Sequence, residues 1–286
     1  MGSPTETRCR ITKALIPAAG RGTRLHPATR AQPKEMLPVG RQPVIHHVYQ
    51  EVTRAGVESV LIVTGRDKRA IEDHFGGEDG SNALGGPRIF YVRQSAPRGL
   101  GDAILMGECY ASDGPFFVAM GDTIMGPSRS GDLLLRMSDA YFEFEADLAI
   151  AVQPVPPEAA RRYGIVAPVP DSDRARPFLI QDIVEKPGPD QAPSALAVSA
   201  RYILSPRIFD CLARTPLSAT GELEITDAIR LCVHEGGRVC CVPLGEGQQR
   251  YDVGNFESYY KTFITFALRD EEYGDAVRRH FGVGPE

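Results

Sequence analysis

The chain has no tryptophan, and none of its apolar runs approaches the roughly 18 residues of a membrane-spanning helix. Its first ten residues are polar and lack the apolar segment of a signal peptide. A strong charge excess is also missing, because 32 basic and 37 acidic residues leave a net charge of −5. These absences argue against a membrane protein, a secreted protein and a nucleic-acid-binding protein. Any phosphate binding must therefore come from a local cluster of cations.

Several catalytic and metal-binding motifs are absent as well. The six cysteines show no CxxC spacing, and the six histidines show no HxxxH spacing, so nothing indicates a zinc site. The G-x-S-x-G turn of serine hydrolases does not occur. Unpaired cysteines of this kind are typical of reduced thiols in a cytoplasmic protein, which is the location we expect.

What the first half does contain is a regular alternation of strands and helices. β-branched apolar runs predict strands at 13–18, 59–65, 88–94 and 115–122, and helical spacing predicts helices at 43–56, 68–76 and 99–110. Strands that alternate with helices in this way form a parallel sheet that is covered on both faces.

The second half is less regular. Strand-like runs occur at 146–155, 164–169, 178–187, 196–206 and 238–244, with helices predicted at 221–237 and 255–281. The Gly-rich, hydrophilic segment 76–87 is predicted to be a mobile surface loop. The fold class that we expect is therefore α/β, with a mixed, mainly parallel sheet sandwiched by helices in a Rossmann-like arrangement.

The loop after the first strand, "LIPAAGRGTRLHPATRAQPKEMLP", concentrates glycine, proline and positive charge. Its start resembles the dinucleotide fingerprint G-x-G-x-x-G, but Leu25 replaces the third glycine, and Pro27 and Pro33 prevent the long helix that such a site needs. The glycines leave backbone N–H groups open to an anion, and Arg24 and Lys34 add positive charge. We interpret the loop as a different kind of phosphate cradle, while a tight turn with solvated arginines remains the alternative.

Carboxylates follow strand-like runs at two distant positions. Asp122 ends the run "VAMGD", and Asp252 lies in "QRYDVGN" before the terminal helices. At the carboxyl ends of parallel strands, such groups can hold Mg²⁺ against phosphate oxygens. Glu185 and Lys186 close another strand, where the acid could bind sugar hydroxyls and the lysine a phosphate. Each of these residues also has an ordinary explanation as a cap or a solvated turn.

Several blocks of the sequence, in the same order along the chain, resemble those of a known protein family. The chain resembles the bacterial UTP–glucose-1-phosphate uridylyltransferases of the sugar nucleotidyltransferase superfamily over about residues 11 to 281. The likeness rests on "IPAAGRGTRLHPATRAQPKEMLP", "VTGRDKRAIEDHF", "YVRQSAPRGLGDAI", "IVEKPGPDQAPSALAVSARYILSP", "GELEITDAI" and "YDVGNFESYYKTFITFALRD". It implies the nucleotide-diphospho-sugar transferase fold, and transfer of a nucleotidyl group from a nucleoside triphosphate to a sugar 1-phosphate.

The resemblance also implies roles for individual residues. Binding of the base and phosphates falls to Ala18, Ala19, Gly20, Gly22, Gln94 and the turn from Gly99 to Gly101. Catalytic contacts with the phosphates fall to Arg24, Lys34 and Lys186, and Mg²⁺ binding falls to Asp122 and Asp252. Sugar-phosphate binding falls to Gly164, Glu185 and Lys186.

The same resemblance implies three parts of the chain. Residues 1–10 would be a flexible extension, and residues 11–254 a catalytic domain with a nucleotide part to about 150 and a sugar part from about 151. Residues 255–286 would form C-terminal helices that make a homo-oligomer, either a dimer or a tetramer. The partners would be a nucleoside triphosphate and a sugar 1-phosphate, without nucleic acid or membrane.

Some positions depart from the family pattern. Asp102 stands where a histidine is usual, Glu224 stands where a glutamine is usual, and "MGDTI" is similar to the thymidylyltransferase branch. These differences leave the reaction intact and open its substrates. The alternatives are dTTP or another triphosphate, an unusual sugar or cyclitol phosphate, and a non-catalytic protein that binds sugar nucleotides.

Overall fold

The computed structural model describes residues 11–76, 82, 84–126 and 131–284. The strands of this part are β1 (Lys13–Pro17), β2 (Pro38–Val39), β3 (Gln42–Pro43), β4 (Ser59–Thr64), β5 (Arg88–Arg93), β6 (Phe116–Ala119), β7 (Thr123–Gly126), β8 (Leu148–Pro154), β9 (Gly164–Pro168), β10 (Phe178–Glu185), β11 (Leu196–Leu204), β12 (Val239–Pro243) and β13 (Gln249–Asp252). Its helices are α1 (Val44–Arg54), α2 (Arg69–Phe75), α3 (Leu100–Leu105), α4 (Glu108–Ala111), α5 (Asp132–Glu143), α6 (Arg207–Arg214), α7 (Ile225–His234), α8 (Phe256–Leu268) and α9 (Gly274–Phe281).

A nine-stranded sheet forms the centre of the molecule, in the order β5-β4-β1-β6-β11-β8-β12-β10-β9. The four strands of the first half run parallel to one another, as their alternation with helices predicts. The second half is mixed, because β11 pairs antiparallel with both β6 and β8, while β8 and β12 are parallel. The fold is therefore a mixed α/β fold whose two halves meet at β11.

Apolar side chains cover both faces of this sheet. Along β1, Leu15 points into one core cluster with residues of α3, α6 and α7. Its neighbours Ala14 and Ile16 point into the other cluster, with residues of α1, α2 and α5. This alternation follows from the two-residue period of a strand, and it explains why the central strands are apolar throughout rather than at every second position.

One predicted helix, 99–110, is wrong as a continuous element. The helix ends at Leu105, and a second one starts at Glu108, with Gly107 between them. A Cβ atom at Gly107 would lie 2.4 Å from Cδ1 of Leu15, so the close approach to β1 requires a glycine there. Two further helices, α5 and α6, and the ribbon made by β7 and β13 were not predicted.

The C-terminal helices form as predicted, and they begin with a clear signal. The Asn255 side chain accepts a hydrogen bond from the Ser258 backbone at 3.0 Å, and the Ser258 hydroxyl accepts one from the Asn255 backbone at 3.2 Å. Residues 1–10 and most of the predicted mobile loop 76–87 lie outside the described residues. In the part that is described, no helix has both the length and the apolar character that a membrane span needs.

Candidate active site

A cavity of about 930 Å³ lies where the loops after β1 and β6 leave the parallel half of the sheet. Ligands of open α/β sheets bind at this place, beyond the carboxyl ends of the strands. Residues of both halves line it, from Gly20 and Asp122 on one side to Gly164 and Glu224 on the other. The cavity is therefore shared by the segments that the sequence assigns to nucleotide and to sugar.

Lys34 and Asp122 form an ion pair at the deep end of the cavity, through Nζ and Oδ2. Their side chains are only 18% and 14% exposed. Burial acts to lower the pKa of Lys34, but the negative charges of Asp122 and Glu35 raise it overall. Burial acts to raise the pKa of Asp122, and the charge of Lys34 outweighs it, so this pKa is lowered. Both groups are consequently charged at neutral pH.

The segment that carries Lys34 is held from behind by a second buried pair. Glu35 accepts a hydrogen bond from Nζ of Lys68 at 2.6 Å, and neither side chain is more than 8% exposed. Lys34 and Glu35 belong to one short 3-10 turn between prolines, Lys34–Met36, which is why neighbouring residues can point in such different directions. The proline-rich loop thus holds a lysine in place without becoming an α-helix.

The β7–β13 ribbon brings Asp252 next to Asp122. Asp252 pairs with Thr123 in the register of the ribbon, and the Val253 N–H donates to the Asp122 carbonyl at 3.2 Å. The pKa of Asp252 is raised, first by burial and then by the negative charge of Asp122. The deep end therefore holds two carboxylates and, in Lys34, one direct cationic partner.

This donor set fits a magnesium ion. Mg²⁺ is commonly bound through one or two carboxylates together with substrate phosphates and water. Burial and then the negative charge of Asp122 raise the pKa of Asp252 against the positive charges of Arg250 and Lys34, and a divalent cation bound there would act to lower it. No group of three or more candidate metal ligands occurs among the described residues, so substrate oxygens and water would complete the coordination.

A second charged cluster lies at the other end of the cavity. Nζ of Lys186 is 2.8 Å from Oε1 of Glu185 and 3.4 Å from Oε1 of Glu224. Burial acts to lower the pKa of Lys186, but the hydrogen bond and charge of Glu185 raise it. Burial raises the pKa of Glu224. Lys186 is half exposed and has a left-handed backbone with φ of 45° directly after the end of β10.

Gly164 borders this cluster at the start of β9. A Cβ atom at this position would lie 2.9 Å from Oγ1 of Thr226, so a side chain here would collide with the first turn of α7. The glycine keeps the wall of the cavity close to the backbone. In the register of the sheet it lies opposite Glu185, and sugar binding by these residues stays a prediction.

One part of the predicted phosphate loop lines the cavity, and another part is buried in the core. Gly20, Gly22 and Arg24 line the cavity, whereas Ala18 is only 1% exposed and its backbone N–H is bonded to Val63. Gly22 has φ of 65°, the left-handed conformation that glycine adopts without strain, and it precedes the 3-10 turn with Arg24. Ala19, which is partly buried, connects the two parts.

Three residues predicted to contact the base, Gln94, Gly99 and Gly101, are not among the residues that line the cavity. Gln94 is 4% exposed, and its Nε2 donates to Oδ2 of Asp102 at 2.5 Å. Cβ atoms at Gly99 and Gly101 would lie 2.6 and 2.7 Å from the carbonyl oxygen of Leu223. These two glycines therefore let α3 pack closely against the segment before α7, and base contacts remain a prediction.

Sequence reasoning missed several cationic and aromatic residues of the cavity. Arg250 lies two residues before Asp252 in β13, and its guanidinium carbon is 4.5 Å from the centre of the Tyr163 ring. Arg161 and Arg162, at the end of a 3-10 helix, line the same wall. The basic residue beside Asp252 in "QRYD" was a usable signal, because the carboxylate had already been selected as functional.

Comparisons of the sequence with known proteins all indicate the same family. The sequence profile of the family described as Nucleotidyl transferase matches residues 13–267. The chain is 40% identical over 285 residues to a UTP–glucose-1-phosphate uridylyltransferase of Bacillus subtilis, covering 94% of this chain and 95% of that protein.

Solved structures agree with the sequence comparison. The crystal structure of a UDP-glucose pyrophosphorylase complexed with UDP-glucose matches with a TM-score of 0.82 and 35% identity, over 91% of this chain and 100% of the other. A UTP-bound enzyme of the same type from Acinetobacter baumannii matches with a TM-score of 0.84 and 29% identity, over 95% of this chain and 98% of the other.

Proposed function

Because the chain belongs to the nucleotidyl transferase family, among the bacterial UTP–glucose-1-phosphate uridylyltransferases, we propose that it makes UDP-glucose and pyrophosphate from UTP and glucose 1-phosphate. The observation that carries the proposal is that two charged clusters line the same cavity. Lys34, Asp122 and Asp252 form the deep cluster, and Glu185 and Lys186 belong to the open one. A triphosphate and a sugar phosphate can meet between them.

In this reaction, an oxygen of the sugar phosphate attacks the α-phosphorus of UTP, and pyrophosphate leaves. The second pKa of a phosphate monoester is about 6, so the attacking sugar phosphate is mostly dianionic at pH 7. It therefore needs no general base to remove a proton. The difficulty is the repulsion between two anions. Positive side chains reduce this repulsion and hold both anions in line for the reaction, as in phosphoryl-transfer sites generally.

The residues of the cavity divide this task. Lys34, at the deep end, and Arg24, an exposed residue that lines the cavity, would hold the triphosphate and stabilise the charge that builds on the leaving pyrophosphate. Lys186 would hold the sugar phosphate, and Glu185 would accept hydrogen bonds from sugar hydroxyls. When bound by Asp122 and Asp252, Mg²⁺ would neutralise phosphate charge and orient the oxygens. Gly20, Gly22 and Gly164 would keep the backbone open for these groups.

The base would lie towards Ala18, Ala19, Gln94 and the Gly99–Gly101 turn, as the resemblance implies. We infer that the base contacts Pro97 and Leu100, because both residues line the cavity next to this turn. In this arrangement residues 11–150 serve the nucleotide and residues 151–254 serve the sugar. The reaction would take place in the cytoplasm, in keeping with the free thiols of all five described cysteines.

The C-terminal helices would join two or more copies of the chain. α8 leaves Tyr260, Phe263 and Ile264 from 38% to 55% exposed, which is unusual for one face of a helix in a monomer. Light scattering coupled to size-exclusion chromatography would give the number of copies. If the variant Phe263→Glu has a smaller mass in solution than the wild type, the contact between copies lies on α8.

Pyrophosphate release tests the proposed function directly. The purified protein would be assayed with UTP, dTTP, ATP and GTP, each combined with several sugar 1-phosphates, with and without Mg²⁺. The proposal expects the highest kcat/KM for UTP with glucose 1-phosphate and no release without a divalent cation. A preference for dTTP or for another sugar phosphate would correct the substrates, and no release with any pair would point to a non-catalytic binding protein.

A further inference from the structure

Arg201 is an arginine in the interior of an apolar strand, and it is completely buried. It lies in β11, opposite Ala119 of β6, at the boundary between the two halves of the sheet. Its Nε and Nη2 donate to the two carboxylate oxygens of Glu51 in α1, at 3.0 and 2.6 Å. The side chain of Glu51 is only 5% exposed, so the pair is shielded from water on both sides.

The same guanidinium holds two backbone carbonyl groups next to the cavity. Nη2 donates to the carbonyl oxygen of Thr123 at 2.8 Å, and Nη1 donates to that of Ala200 at 2.9 Å. Ala200 has φ of 56° in an irregularity of β11, and its carbonyl also accepts from the Met120 N–H at 3.3 Å. Met120, Thr123 and Ala200 all line the cavity.

Thr123 connects Arg201 to the predicted metal ligand. Its hydroxyl donates to Oδ1 of Asp122 at 3.1 Å, and its backbone N–H donates to the Met120 carbonyl at 3.3 Å. Its carbonyl is the group that Arg201 holds. Backbone and side chain of Thr123 are thus fixed at three points, one of which sets the orientation of the Asp122 carboxylate.

Stability alone does not explain such an arrangement. Removing two charges from water is costly, and apolar pairs of similar volume often serve a core as well or better. An arginine offers what an apolar residue or a lysine cannot, which is a rigid fork of donors in fixed directions. Here four hydrogen bonds from one fork connect α1, the start of β7 and the irregular part of β11.

We propose that Arg201 is a positioning residue for the metal site, which acts through Thr123 to orient Asp122 and through Ala200 to fix the adjacent wall of the cavity. Arg201 contacts neither substrate nor metal. Glu51 keeps the guanidinium in place from the side of α1. The proposal rests on the proposed function, because it takes Asp122 as a ligand of the metal that binds with UTP. Residues that orient metal ligands typically contribute 10- to 100-fold, on the order of magnitude, to metal affinity or activity.

The test removes both charges together, so that no unpaired charge is left in the core. The double variant Arg201→Met/Glu51→Met is compared with the wild type by thermal melting, by turnover and by Mn²⁺ binding in the presence of UTP, measured by electron paramagnetic resonance. We expect a melting temperature close to that of the wild type, Mn²⁺ binding weakened by about 10-fold, and turnover reduced by about 10- to 100-fold.

A matched control comes from another bidentate ion pair. Arg230 of α7 donates to both carboxylate oxygens of Asp182 in β10, at 2.8 and 2.9 Å, and neither residue lines the cavity. The variant Arg230→Met/Asp182→Leu should leave Mn²⁺ binding and turnover unchanged.

If the first double variant fails to fold, Arg201→Lys decides, since it keeps a positive charge beside Glu51 but loses the rigid fork that holds the Thr123 and Ala200 carbonyl groups. We expect about 3-fold weaker Mn²⁺ binding there, below the 10-fold of a lost outer contact. Wild-type Mn²⁺ affinity in either folded variant would overturn the positioning role. A wild-type protein that releases no pyrophosphate would instead overturn the proposed function, and the Mn²⁺ measurement separates the two.

Discussion

The two ends of the cavity hold similar residue types in different surroundings. At the deep end, the side chains of Lys34 and Asp122 are less than a fifth exposed. At the open end, Lys186 is half exposed, whereas the carboxylates that it pairs with, Glu185 and Glu224, are only 19% and 15% exposed, so the difference lies in the lysine. Opposite charges interact far more strongly where water is excluded than where it screens them. A lysine–carboxylate pair can therefore be a rigid part of the catalytic machinery at one end and an adjustable contact at the other.

This difference assigns the chemistry and the recognition to separate places. Charge that develops on leaving pyrophosphate would be stabilised at the deep end, where each group counts strongly. The sugar would be recognised at the open end, where a substitution changes affinity and leaves the reaction intact. One departure from the family pattern fits this division, because Glu224 lies in the open cluster. The other two do not, since Asp102 is bonded to Gln94 and "MGDTI" contains Asp122 of the deep cluster.

The largest effect is expected from Asp122→Asn. Loss of this carboxylate removes a predicted metal ligand and the direct partner of Lys34, so kcat should fall by roughly three orders of magnitude, as for loss of a central electrostatic group. Steady-state pyrophosphate release at saturating UTP and Mg²⁺ would measure it. Asp139→Asn, an exposed position on α5, is the control and should keep full activity. Near-normal turnover of purified, folded Asp122→Asn would contradict a catalytic role for the deep end and its difference from the open end.

Lys186→Met tests the open end and should have the second largest effect. Loss of one solvent-accessible phosphate contact should reduce kcat/KM for the sugar phosphate by on the order of 100-fold, mostly through KM. Lys186→Arg, which keeps the charge, should recover part of the loss. A fall in kcat alone, with KM unchanged, would instead show that Lys186 acts in the transition state, like the deep cluster.

Asp252→Asn should affect stability in the direction opposite to activity. The pKa of Asp252 is raised in the folded protein above its ordinary value of 3.8, so the folded state binds this proton more tightly than the unfolded chain. Ionisation of Asp252 therefore costs stability once the pH rises through the raised pKa. We expect the metal-free variant to melt a few degrees higher than the wild type at pH 8, a shift typical of about 1 kcal/mol. Calorimetry would record it.

The same comparison at lower pH gives the control. Below the ordinary pKa of an aspartate, both the folded and unfolded chains hold the proton, so the advantage of Asp252→Asn should shrink towards pH 4. Asp122 behaves in the other direction, because its pKa is lowered and its stabilising contribution is lost as the pH falls. A melting difference that does not depend on pH would contradict the electrostatic origin.

Glu224→Gln should have the smallest effect. The variant replaces a carboxylate that is only 15% exposed by the amide that is usual in the family, so the half-exposed Lys186 loses one of two negative neighbours. We expect KM for glucose 1-phosphate to change by about 3-fold, with kcat unchanged, as for a screened surface pair. A change of substrate preference towards a different sugar phosphate would give Glu224 a role in specificity.

The sequence was informative where one local pattern determined the structure. Runs such as "SVLIVTG" become buried strands because β-branched residues suit a sheet that is covered on both faces, and Asn255 and Ser258 cap α8 as their spacing indicates. The two aspartates could be selected because each follows or ends a strand-like run, and the structure brings them together.

Other features depend on partners that are distant in sequence. The strand from Thr123 to Gly126 has no strong pattern of its own, and it exists because β13 pairs with it. Arg201 stands in an otherwise apolar run, and only the position of Glu51 on another element makes a buried charge possible there. Gly107 interrupts a helical pattern because Leu15 of β1 approaches too closely for a side chain.

The pairing of β7 with β13 has a consequence for biosynthesis. A ribosome completes β1, β4, β5 and β6 long before it adds Asp252, so the parallel half of the sheet can form while one of the two predicted metal ligands is still missing. Until β13 arrives, Asp122 has Lys34 as its neutralising partner. The predicted pair of metal-binding carboxylates is therefore complete only after translation has passed the last strand.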